Sequence, residues 1–78
     1  VDIPDDLINL ERAAEEQRAQ LAGLAGAEYE EQRRAWRTAS EKVQAAITAH
    51  AEAAGENRFE VEAAVKRAVR HAEEDPAE

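Results

Sequence analysis

Ile3, Leu7, Leu10, Ala14, Gln17, Leu21 and Leu24 follow one another at spacings of four, three, four, three, four and three. Residues spaced this way share one stripe of an α-helix, which turns once every 3.6 residues. A half-buried strand would instead alternate at every second position. The stripe is apolar except at Gln17, so its helix must bury one face against other helices.

The rest of the chain repeats the pattern. Tyr29, Trp36, Val43 and His50 fall seven apart, and Ala39, Ala46 and Ile47 fill the same face. Val61, Ala64, Val65, Ala68, Val69 and Ala72 make a third stripe. Between the stripes stand the residues that stop and start helices. Pro4 with Asp5 and Asp6 suits a first helical turn and its positive dipole end. Gly23 and Gly26 bracket the end of the first stripe, and Gly55 ends the second, because glycine takes positive φ at low cost. Asn57, followed three residues later by Glu60, has the form of a capping box. These signs predict helices at about 4–24, 27–54 and 57–73, in one helical domain over residues 1–74. A short acidic tail around Pro76 follows at 75–78. The rival reading is one helix running through both glycines, at about 1 kcal/mol for each relative to alanine.

Short links make successive helices antiparallel. The expected fold is therefore all-α, an antiparallel three-helix bundle. In that arrangement Leu24 lies beside Tyr29, Leu10 near Val43 and Ile3 near His50. Gln17 comes level with Trp36 and offers its amide oxygen to the indole N–H. Helix 3 packs on the other side, with Val61 near His50 and Ala72 near Ala39. Nineteen of the apolar residues are alanine, leaving fifteen larger ones in 78 residues. Alanine favours helix and close approach, but so few large side chains make a thin core. A second copy would supply further burial, and a homodimer is expected.

The formal net charge is −8, which keeps a chain soluble and opposes phosphate backbones and anionic membranes. Two local stretches run against it: Arg33-Arg34-Ala35-Trp36-Arg37 and Lys66-Arg67-Ala68-Val69-Arg70-His71. Many of these charges have acids four residues away, as in Glu30 to Arg34 and Glu62 to Lys66, and such pairs belong to solvated helix faces. Aromatic side chains between arginines are also frequent interface anchors. The candidate partner-binding residues are therefore Tyr29, Arg33, Trp36, Arg37, Arg67 and Arg70, with an acidic protein or a second copy of the chain as partner.

Catalytic patterns are missing. The chain has no cysteine, hence no disulfide and no thiolate metal site. Ser40 lies mid-helix without a glycine elbow, and Lys42 and Lys66 have acids nearby, Glu41 beside the first and Glu62 four residues before the second. His50 and Glu52 are two residues apart and point away from each other, whereas helical ligand pairs need spacings of three or four. No glycine-rich phosphate loop is present. The expectation is a non-enzymatic protein without metal or cofactor. Helix 3, with Arg58, Lys66, Arg67 and Arg70, superficially resembles the second half of a helix-turn-helix, opposed by Glu60, Glu62, Glu73 and Glu74 on the same helix. No apolar run reaches membrane-span length, no signal-peptide pattern is seen, and cytoplasmic residence is expected. The function that fits best is a small helical protein–protein interaction or assembly module. The alternative is a small nucleic-acid-associated regulator acting through helix 3.

Overall fold

In the computed structural model, which describes residues 2–74 and the side chains of 2–71, the chain forms α1 (Asp5–Ala19), α2 (Gly26–Ala54) and α3 (Arg58–Glu74). The side chain of Ala72 and the acidic tail at 75–78 lie outside the described residues. All three helices pack on one another as a bundle.

Each helix boundary has a local cause. The Pro4 carbonyl accepts the first helical hydrogen bonds, from Leu7 N–H at 3.1 Å and Ile8 N–H at 3.4 Å. Asp5 and Asp6 then occupy the positive end of α1. At the end of α2, Gly55 takes φ +68°. Glu56 N–H reaches back to the Ala51 carbonyl at 2.9 Å, closing a Schellman-type end. Asn57 Oδ1 accepts the backbone N–H groups of Phe59 at 2.8 Å and Glu60 at 3.2 Å, capping α3.

The end of α1 departs from the periodicity. The helix stops at Ala19 rather than Leu24. Leu21, Ala22 and Leu24 donate their N–H groups three residues back, to Arg18, Ala19 and Leu21. The backbone thus tightens into consecutive turns, and Gly23 at φ +84° ends them. Leu21 and Leu24 stay partly buried, so the apolar seam outlasts the helix that carries it.

The pairing of α1 with α2 is antiparallel, as the Leu7, Val43 and Ile47 cluster and the Gln17–Gln32 bond show. Gln17 does not serve Trp36. Its backbone and side-chain oxygens both accept from Gln32 Nε2, each at 2.8 Å. Gln32 is one turn closer to the link than Trp36. The joint between α2 and α3 is also antiparallel and carries a closed polar network. Arg58 donates to Thr48 Oγ1 at 2.9 Å, to Glu62 and to Gln44, and Gln44 Nε2 donates to Glu62 at 3.0 Å.

The core is Leu7, Val43, Ile47, Ala51, Val61 and Val65, with Ile3, Leu10 and Ala46 packed against it. Ile47, Val61 and Val65 are sealed from solvent. All of these α2 residues come from its C-terminal half. At ~1.5 Å per residue, the 29 residues of α2 account for the full 43 Å length of the molecule. The 15-residue α1 and 17-residue α3 are each little more than half as long.

Candidate docking surface on α2

Tyr29, Arg33, Trp36, Ser40, Val43 and Ile47 follow one another along α2 at spacings of four, three, four, three and four. They form one stripe of the helix. Its C-terminal end, Val43 and Ile47, is buried under α1 and α3. Its N-terminal end is not, and no residue from 26 to 42 is buried. Tyr29, Arg33, Trp36 and Ser40 are each partly exposed.

The cause is the path of α3. Its first turns run beside Thr48 and Gln44 of α2. Beyond them α3 lies across α1. Ala64, Arg67 and Ala68 face Ile3 on one flank, while Lys66, Val69 and Arg70 border Glu11 and Glu15 on the other. The N-terminal part of α2 is left with α1 and the link as neighbours. A groove of about 260 Å³ opens there, lined by Arg33, Trp36, Arg37 and Ser40, all from α2.

The six candidate partner-binding residues are distributed over several places. Arg33, Trp36 and Arg37 share the α2 groove. Tyr29 lies one to two turns toward the N-terminus on the same stripe. Arg67 lines a groove with Ile3, Ala64, Ala68 and His71. Arg70 borders a third with Glu11, Glu15 and Lys66. The two arginine pairs thus line no common groove. Ser40 joins the α2 site, although its sequence context suggested only a poor nucleophile. Its place four residues after Trp36 and three before Val43 is the signal that identifies it.

Two of the four ion pairs keep helical spacing, Arg18 with Glu15 and Arg58 with Glu62, while Lys66 pairs across helices. Glu62 pairs with Arg58 at 3.4 Å rather than with Lys66. Lys66 reaches instead to Glu11 at 3.2 Å. Glu11 is 4% exposed, a buried acid that the α1 stripe did not suggest. It follows Leu7 by four and precedes Ala14 by three, on the flank of α1 that meets α3. Among the described residues Arg33, Arg34 and Arg37 make no ion pair, since the four bridges use Arg18, His50, Arg58 and Lys66. A hydrogen bond from exposed Arg18 to Glu15, reinforced by their charges, pushes the guanidinium pKa up.

Other chemistry-bearing groups are engaged locally. His50 Nε2 lies 3.5 Å from Glu56 Oε1 at the α2–α3 turn. Phe59 is 73% exposed at the start of α3, with the Arg58 guanidinium carbon 5.8 Å from its ring centre. No helix among the described residues is long and apolar enough to cross a membrane. No family model matches the chain, and no curated protein or solved structure matches it significantly.

Proposed function

We propose that this chain is a non-enzymatic protein–protein interaction or assembly module that docks a partner along the N-terminal half of α2. One observation carries the reading. The core stripe of α2 continues through Ser40, Trp36, Arg33 and Tyr29 after α3 has left it. A tryptophan in a shallow groove between two guanidinium groups that make no ion pair among the described residues is the composition of an interface anchor. Arg33 and Arg37 favour an acidic partner surface, and the indole supplies apolar area. The polar network around Arg58 and the Glu11–Lys66 pair direct two of the four cations of α3 to protein acceptors. That favours docking of a protein over binding of phosphate backbones.

The test is site-specific photocrosslinking in native extract. A photoreactive residue replaces Ser40 inside the groove, and a control chain carries it at exposed Ala53. The expected result is a discrete adduct from position 40 that the Arg33→Glu/Arg37→Glu double variant abolishes. Equal labelling from both positions, or an adduct indifferent to the double variant, contradicts the docking surface.

A further inference from the structure

We infer that the partner covering this stripe is a second copy of the same chain, its α2 lying antiparallel across a twofold axis between Arg33 and Arg34. The inference rests on the docking surface proposed above and names its occupant. Three observations lead to it.

The first is self-complementary charge. Glu30 and Arg37 are both exposed, and they stand one heptad apart on the same flank of the stripe. In an antiparallel helix pair, residues of one flank face the same flank of the neighbour. An axis between residues 33 and 34 places residue 30 of each copy opposite residue 37 of the other. One pair of residue types therefore yields two reciprocal Glu–Arg contacts, as an isologous interface requires. Neither Glu30 nor Arg37 has an ion-pair partner among the described residues.

The second is the register of the aromatic side chains. The same axis sets Trp36 opposite position 31 of the second copy, in the hollow between its Tyr29 and Arg33. Indole against phenol and guanidinium against indole are both favourable arrangements. Arg33, centrally placed, thereby gains an aromatic face to rest on. Arg34, farther round the helix, stays in solvent.

The third is access. Every residue lining the Trp36 groove belongs to α2, so no other helix of the same copy must move aside. The shared length, symmetric about that axis from Gly26 to Glu41, is about 22 Å of helix. Such a contact falls at the small end of specific interfaces, below ~1,200 Å² in total. A reversible dimer forming in the micromolar range is expected.

The test is sedimentation equilibrium of the full chain from micromolar to millimolar concentration, repeated with Glu30→Arg and Arg37→Glu. Both positions are exposed, and circular dichroism checks that each variant remains helical. The wild-type chain should dimerise. Each variant alone places like charges across the axis twice and should weaken the dimer by about tenfold or more. An equimolar mixture of the two variants restores both opposite-charge pairs and should form a heterodimer near wild-type strength. A wild-type chain monomeric through the millimolar range overturns the inference, as does a dimer that both variants leave intact or a mixture no stronger than its components. A position-40 photoadduct with a different protein, obtained alongside any of those results, would leave the docking surface standing without the twofold.

Discussion

Glu11 sits where α1, serving two neighbours, needs a wider buried face than a single seam provides. Leu7 and Ala14 flank it on the α3 side, and all three are 4% exposed. An ionised carboxylate in such a place is costly unless it is paired. Lys66, itself half in solvent, supplies the cation at 3.2 Å. Replacing Lys66 with methionine keeps the stem but leaves the acid alone, and should lower unfolding stability by about 1–3 kcal/mol. Replacing Glu11 with methionine in the same chain should recover most of that loss, because two apolar groups then meet. Urea denaturation of the two single variants and the double variant measures the coupling, and equal stability of Lys66→Met and wild type would remove the pair from the account. Gln17 makes the same point in neutral form. A polar residue in an apolar seam finds a partner across it, but the partner is Gln32, chosen by the register of the two helices and not by which residue has the stronger need.

The turn from α2 to α3 is the part of the chain whose elements are most locally determined. A Cβ added at Gly55 would meet nothing within 4 Å, so the demand there is conformational and comes from φ +68°. Gly55→Ala should cost roughly 1–2 kcal/mol, and Asn57→Ala about 1 kcal/mol through loss of the cap. Chemical denaturation reads both; their effects need not add, since the residues are neighbours. These two positions announce themselves in the sequence because glycine and asparagine act on the backbone beside them. The end of α1 does not, since Leu21 and Leu24 keep the heptad spacing while the backbone has already tightened into turns. The third stripe was legible as Val61, Val65 and Val69, all of them buried. The α2 stripe was legible as a repeat, but its division into a covered and an uncovered half was not. That division depends on where α3 veers across α1, and no local residue pattern in α3 encodes the crossing. Arg67 and Arg70 were assigned with Arg33 and Arg37 on the assumption that α3 runs alongside α2 throughout.

As a whole the molecule is a flat slab of 43 × 32 × 16 Å, with its sealed residues gathered around the C-terminal half of α2. Burial of large apolar side chains is the main stabilising term, so this end is the firmer one. The other end leaves Tyr29 and Trp36 partly exposed on the longest helix, next to arginines with no ion pair among the described residues. On the proposal above, this stripe is open in a single copy and becomes covered by association. Trp36 is the only tryptophan, which makes its fluorescence a direct report on that surface. Emission recorded across a dilution series should be red-shifted at the lowest concentrations and move to the blue as concentration rises, with the Arg37→Glu chain remaining red at concentrations where the wild-type chain has shifted. Emission that stays at one wavelength throughout the series, whether blue from an indole already covered or red from one never covered, would contradict it.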